Sequence, residues 1–104
     1  MPHTVIDDPT AAVAPQPGAV VSKVLHRDAD LDVTVFAFDA GEGLTEHTAS
    51  RPAVVQVLSG RLRFTVDGEE LEGGPGWWLH MTPGTPHELL AVEPTTMLLT
   101  LVRG

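Results

Sequence analysis

Short apolar runs, separated by glycine, proline and acidic residues, recur along the chain from residue 19 onwards. Leu31–Phe38 is apolar on both faces over much of its length, whereas in Arg61–Val66 leucine, phenylalanine and valine alternate with arginine and threonine. Alternation with a period of two is the pattern of a β-strand. No stretch of eleven residues shows the 3.6-residue period and the capping residues of a helix. The pattern therefore predicts a protein made almost entirely of strands.

Tight turns are predicted at Ser59-Gly60 and Asp67-Gly68, each between two short strands. No helical segment joins successive strands as it would in a βαβ unit, so we expect antiparallel pairing in a sandwich or jelly roll. The predicted strands are Ala19–Leu25, Leu31–Phe38, Val54–Leu58, Arg61–Val66, Glu69–Glu72, Trp77–Met81, Glu88–Val92 and Met97–Val102.

The first 18 residues differ from the rest, because they hold four prolines and few large apolar side chains. They are predicted to form an extended or disordered N-terminal arm. Residues 19–104 are predicted to form one barrel domain. Val5 and Ile6 in the arm, together with the two apolar faces of Leu31–Phe38, would need to be covered, and we therefore expect a homodimer.

Charge and residue usage exclude several functions. The chain has six basic and fourteen acidic residues, for a net charge of −8, so nucleic acid and anionic membranes are not expected as partners. There is no cysteine, which excludes disulfides, thiolate nucleophiles and thiolate metal ligands. The N-terminal segment lacks the features of a signal peptide, and no apolar run is long enough to span a bilayer. We therefore expect a cytoplasmic protein.

Two histidines lie at similar places within glycine-bounded segments. Five residues separate Gly41 from His47, and in a second segment that begins at Gly76, Gly84 precedes His87 by three positions. These segments resemble the two sequence motifs of the cupin family of small β-barrels, and the resemblance covers about residues 31–102. It implies an all-β, antiparallel jelly-roll barrel. It also implies that His47 and His87 face the barrel interior.

The resemblance to cupins implies a divalent transition metal such as Zn, Fe, Ni, Cu or Mn, which metal-binding cupins hold with three histidines and a carboxylate. At the positions of the second histidine and the glutamate, this chain has Ala49 and Ala53. His47 and His87 therefore fill only half of a four-coordinate shell. Either a further side chain completes a metal site, or the barrel binds its ligand with no metal.

His80 is the best candidate for a third metal ligand. By strict alternation His80 shares a strand face with Trp78. If that face is the inner one, Trp78, His80 and Val55 line the ligand pocket. Gln56 is predicted to face away from the pocket, on the opposite side of its strand from Val55.

Three functions are compatible with these residues. The first is binding of a small molecule in the barrel interior through a divalent metal held by two or three histidines, which in an enzyme would support an oxygenase, lyase or isomerase reaction. The second is a metal-free enzyme, similar to the epimerases related to cupins, with His47 or His87 as the base. The third is a non-catalytic sensor or accessory protein that binds a small ligand. No residue is assigned a catalytic role, and the sequence does not decide whether the protein is an enzyme.

Overall fold

Antiparallel strands make up most of the structure, a computed structural model that describes residues 2–103. Within this range there are one short 3-10 helix, Pro9–Ala12, and nine strands. The strands are β1 (Val20–Arg27), β2 (Leu31–Phe38), β3 (Gly43–His47), β4 (Ala53–Ser59), β5 (Leu62–Val66), β6 (Glu69–Gly73), β7 (Trp78–Met81), β8 (His87–Ala91) and β9 (Thr95–Val102).

The strands form two sheets. A five-stranded sheet has the order β1-β2-β9-β4-β7, and a four-stranded sheet has the order β3-β8-β5-β6. Every strand pair is antiparallel. The structure therefore confirms the predicted all-β, antiparallel jelly roll. Within the described residues no helix has the length and apolar character that a membrane span requires.

The strand β3 was not among the predicted strands. Its sequence, Gly-Leu-Thr-Glu-His, has a single large apolar residue, Leu44, and its last three residues are exposed. A strand at the edge of a sheet hydrogen-bonds on one side only and buries little, so its hydrophobic pattern is weak. The pairing of Gly43 and Leu44 with β8 defines this strand, and pairing between distant segments is not visible in a local pattern.

The core lies between the two sheets. The inner faces of β4 and β5 contribute side chains that are almost completely buried, and Phe64 and Trp77 pack with their ring centroids 5.9 Å apart. Alternate residues of most strands enter this core, as expected for stacked sheets. The buried members of the cluster are Phe38, Ala53, Val55, Val57, Leu62, Phe64, Met81, Leu89, Ala91 and Met97.

The N-terminal arm contains the 3-10 helix, which packs against β2. The side chain of Asp8 caps this helix by accepting a hydrogen bond from the Thr10 amide at 3.0 Å. Val35 and Ala37 of β2 point away from the core, yet neither is exposed to solvent. The arm therefore covers part of the outer face of the five-stranded sheet. The homodimer expected from the same apolar face stays a prediction.

The turn between β5 and β6 is the predicted two-residue hairpin. Asp67 and Gly68 both have positive φ, 48° and 81°. Positive φ at both central residues is the requirement of a type I′ turn, which glycine and aspartate tolerate. The turn pairs Val66 with Glu69 and so fixes the register of the four-stranded sheet at one end of the barrel.

Candidate functional site

One end of the barrel carries the polar side chains that could form a site, and we call it the mouth. Its wall on the four-stranded sheet is a row of register partners crossing all four strands: His47, His87, Val66 and Glu69. Its wall on the five-stranded sheet is a second row: Arg27, Asp32, Leu101, Ala53 and Met81. Register partners in antiparallel sheets point to the same face. Because Ala53 and Met81 are buried in the core, the second row faces the barrel interior.

His47 and His87 are register partners, and their imidazole rings lie against each other. The ring centroids are 4.2 Å apart, and the ring planes meet at 61°. An irregularity in β3 between Leu44 and His47 breaks the regular register just before the histidine. Such bulges re-aim side chains. His87 is buried with 7% of its surface exposed, whereas His47 is exposed at the rim.

Both imidazoles are held in the same tautomer. His47 Nδ1 lies 2.7 Å from the carbonyl oxygen of Thr45, and His87 Nδ1 lies 2.9 Å from that of Thr85. A carbonyl only accepts hydrogen bonds, so each Nδ1 carries a proton and donates it. In the neutral ring each Nε2 then keeps its lone pair.

Alanines occupy the two positions at which the resemblance implies further metal ligands. Ala53 is 2% exposed in the opposite wall of the mouth, and Ala49 lies in the loop between β3 and β4. Across residues 2–103, no group of three histidine, aspartate or glutamate side chains could hold a metal ion. The donor set fits a transition-metal ion bound by two imidazoles, with water or a ligand filling the remaining positions. It does not provide a complete protein shell.

His80 and Trp78 do share a strand face, as alternation predicts, but that face is the outer one. His80 pairs with Val54, and Trp78 pairs with Gln56, on the side of the sheet away from the core. Trp78 is 58% exposed and stacks on His80 with ring centroids 6.4 Å apart. Neither residue lies with His47 and His87, so the expectation of a third ligand and an inner tryptophan does not hold.

The reason for this difference is the strand boundary. Trp77, not Trp78, points inward and packs on Phe64. Because side chains alternate along β7, Trp78 and His80 then point outward. Two adjacent tryptophans give a sequence pattern that fits either face. Val55 does point inward, but at 1% exposure it lies within the core cluster. Gln56 faces outward, as predicted.

A buried ion cluster in the mouth was not foreseen. Asp32, 5% exposed, is the only buried carboxylate among the described residues. It accepts hydrogen bonds from Arg51 Nη1 at 2.9 Å and from Arg103 Nη2 at 2.9 and 3.0 Å, and Arg27 Nε lies 3.5 Å away. We call these four residues the Asp32 cluster. The sequence did contain a signal, since an aspartate interrupts the apolar strand Leu31–Phe38.

The pKa of Asp32 is lowered in the folded protein. Burial alone would raise it, but the hydrogen bonds and charges of Arg51 and Arg103 outweigh the burial. A carboxyl whose pKa falls on folding stabilises the protein above its unfolded pKa, and this contribution is lost as the pH falls through the folded pKa. The ionised form of Asp32 therefore stabilises the fold at neutral pH.

Asp32→Asn is expected to unfold at lower urea concentration than the wild type at pH 7, and the difference should shrink as the pH is lowered below 4. Urea unfolding followed by circular dichroism at several pH values measures this. The variant should keep some acid sensitivity, because a hydrogen bond from His26 and those from backbone amides lower the pKa of Asp28 to about 2. A difference that stays constant with pH would show that Asp32 does not act through its charge.

A groove of about 530 Å³ lies on the outer face of the four-stranded sheet, away from the mouth. Arg63, Thr65, Glu88 and Leu90 are among the residues that line it, and neither mouth histidine does. Arg63 forms an ion pair there with Glu70 at 3.2 Å. The groove is an open surface feature with paired charges. A ligand bound there would not contact His47 or His87.

Comparison with known proteins agrees with this architecture. A family model described as the cupin domain matches residues 34–103. A conserved protein of unknown function from Streptococcus pyogenes is 34% identical, with a TM-score of 0.87, and the match covers 100% of this chain and 91% of that one.

Two further solved structures share the fold at lower identity. A cupin superfamily protein from Desulfitobacterium hafniense is 18% identical with a TM-score of 0.87, covering 98% of this chain and 94% of that one. KdgF from Halomonas sp. is 24% identical with a TM-score of 0.79, covering 86% and 82%. No curated protein matches the chain.

Proposed function

The chain belongs to the cupin family, and we propose that it binds a small organic molecule at the barrel mouth, through a divalent transition-metal ion held by His47 and His87. The observation that supports this most directly is the matched tautomer of the two rings. Each Nδ1–H is used on a backbone carbonyl, so each Nε2 has a lone pair to offer. With centroids 4.2 Å apart, the two rings are close enough to bind one ion together.

The ligand chemistry favours Zn, Cu, Ni or Fe over Mg or Ca, because neutral imidazoles suit these transition metals. Bound there, the ion would supply a Lewis acid with several open positions. The protein residues would hold and orient the two imidazole ligands. Thr45 and Thr85 fix the ring orientation through their carbonyls, and Phe64, stacked 6.1 Å from His87, supports the buried ring.

Open positions on the ion favour an organic ligand that completes its shell. A four-ligand protein shell leaves less room for such a molecule, whereas two imidazoles leave half of a tetrahedral shell unfilled. Leu101 is the partly buried apolar residue of the facing wall and would contact the carbon skeleton of the ligand. The mouth is thus suited to binding, and the residues described here assign no catalytic acid or base.

The variants His47→Gln and His80→Gln provide a matched test. Both replace an exposed histidine, but only His47 lies in the mouth. Titration of metal-free protein with Zn²⁺ or Ni²⁺ in a calorimeter should show one site in the wild type. His47→Gln should weaken that site by about tenfold or more, whereas His80→Gln should leave it unchanged.

If both variants lost metal affinity equally, the metal would bind outside the mouth, and the proposal would be overturned. If neither ion binds the wild type, the mouth is a metal-free pocket for an organic ligand. In that case the sensor or metal-free enzyme hypothesis would replace the proposal.

A further inference from the structure

The Asp32 cluster gathers positive charge in an acidic protein. Arg27, Arg51 and Arg103 are three of only six basic residues in a chain of net charge −8. All three contact one carboxylate, so the cluster carries a net charge of +2. Neutralising Asp32 would require one arginine, and the other two are an excess that a purely structural ion pair does not need.

The guanidinium groups of the cluster are only partly used. Within residues 2–103, Arg51 forms its side-chain hydrogen bond through Nη1 alone, and Arg103 forms its bonds through Nη2 alone. Each guanidinium has five N–H donors on three nitrogens. The Nε and the second Nη of both residues therefore remain as donors. Their side chains are 29% and 41% exposed, so solvent or a ligand can reach them.

The cluster lies in the same mouth as the histidine pair. Asp32 belongs to the inner row that also contains Ala53, two strands away, a spacing of about 10 Å for neighbouring strands 4.7–4.9 Å apart. Arg51 follows His47 by four residues, in the loop that joins β3 to β4. The amide of Gly84 donates a hydrogen bond to the carbonyl of Ala49 at 2.8 Å, which ties this loop to the turn before His87.

Within residues 2–103, the three arginines of the cluster form ion pairs with Asp32 alone. Asp28 is engaged within its own turn, where its carboxylate accepts bonds from the amides of Asp30 and Leu31 and lies 2.6 Å from His26 Nε2. Glu69 belongs to the opposite wall, on the strand at the far edge of the four-stranded sheet from β3.

We propose that the ligand of the mouth is an oxyanion-bearing small molecule, whose carboxylate or phosphate group binds Arg51 and Arg103. This inference rests on the proposed function, because it names the class of ligand for the same mouth. The planar fork of arginine matches both kinds of oxyanion, and fixed positive charge in a concave site focuses attraction for anions. Asp32 acts as a positioning residue that holds the guanidinium groups at the rim.

The test uses metal-free protein, so that it does not depend on the histidines. Binding of malonate and of inorganic phosphate, each titrated separately at low ionic strength, distinguishes carboxylate from phosphate recognition. We expect at least one of them to bind the wild type. Arg51→Gln should weaken that binding by about 10- to 100-fold, the value of one hydrogen bond between charged groups.

Arg63→Gln is the matched control, since Arg63 is ion-paired on the outer face of the four-stranded sheet. It should leave anion binding unchanged. Arg51→Lys serves as a second variant, because it keeps the positive charge beside Asp32 and loses only the planar guanidinium group that can donate two parallel hydrogen bonds. It should bind more weakly than the wild type and more tightly than Arg51→Gln, with an unchanged circular dichroism spectrum.

Equal binding by Arg51→Lys, Arg63→Gln and the wild type would overturn the inference, as would the failure of both anions to bind the wild type at millimolar concentration. Failure of the metal proposal gives a different result. In that case Zn²⁺ does not distinguish His47→Gln from His80→Gln, while Arg51 variants still lose the anion.

Discussion

The double variant Ala49→His/Ala53→Glu is expected to bind Zn²⁺ at least about 100-fold more tightly than the wild type. Outer-sphere partners of a metal ligand alone change affinity by 10- to 100-fold, and this variant adds two direct ligands. Both positions belong to the mouth. Ala53 lies in the inner row opposite the histidine row, and Ala49 lies in the loop hydrogen-bonded to Gly84.

The added glutamate supplies negative charge that the histidine pair lacks. A carboxylate at position 53 would be almost buried, since Ala53 is 2% exposed. Without an ion, this charge should lower the stability of the variant, because burying an unpaired carboxylate is costly. Zn²⁺ should then raise the melting temperature of the double variant more than that of the wild type.

The control is Ala49→His/Ala53→Gln, which has nearly the same shape and lacks the charge. Metal content per chain after identical dialysis, together with melting temperatures with and without Zn²⁺, compares the three proteins. The glutamate variant should retain the most metal. If the wild type is already fully loaded and the variant gains nothing, the protein binds its metal with residues other than those at the mouth.

Phe64→Ala is expected to cost about 3–5 kcal/mol of unfolding free energy, the usual range for removing a buried phenylalanine. Phe64 is 1% exposed and lies between the sheets, with Trp77 and His87 on either side at 5.9 and 6.1 Å. Domains of this size are stable by about 5–15 kcal/mol in total, so one substitution removes a large share. Urea unfolding gives the value directly.

The substitution Val92→Ala is the comparison, because Val92 is 44% exposed and should change stability by less than about 0.5 kcal/mol. Phe64→Ala should also loosen the His87 ring and weaken Zn²⁺ binding. A loss near that of Val92→Ala would mean that the two sheets repack around the missing ring, and that Phe64 does not support the site.

The sequence alone was enough to predict the fold and to single out two histidines as site candidates. Period-two alternation, tight turns and the absence of helical periodicity are local properties, and they predicted an antiparallel sandwich or jelly roll. The resemblance to the cupin motifs narrowed this prediction to the jelly roll, which the structure confirms. His47 and His87 were identified through the resemblance of their two segments to the cupin motifs. The structure brings their rings into contact as register partners on neighbouring strands of one sheet.

The tertiary structure decided which face of each strand is the inner one. Period-two alternation shows that Trp78 and His80 share a face, but it does not say which face meets the other sheet. Trp77, just before β7, packs inward on Phe64, and this contact is made only in the folded chain. The edge strand β3 was missed for a related reason, since its pairing with β8 is not a local property.

The Asp32 cluster is the clearest example of contacts that a local sequence pattern does not reveal. Its four residues lie at positions 27, 32, 51 and 103, and no spacing along the chain links them. They meet because β1 and β9 flank β2 and because the loop after His47 folds back over the mouth. A buried carboxylate needs partners, so Asp32 in an apolar strand signals that some exist. Only the folded chain shows that the partners are three arginines at the mouth that holds the histidines.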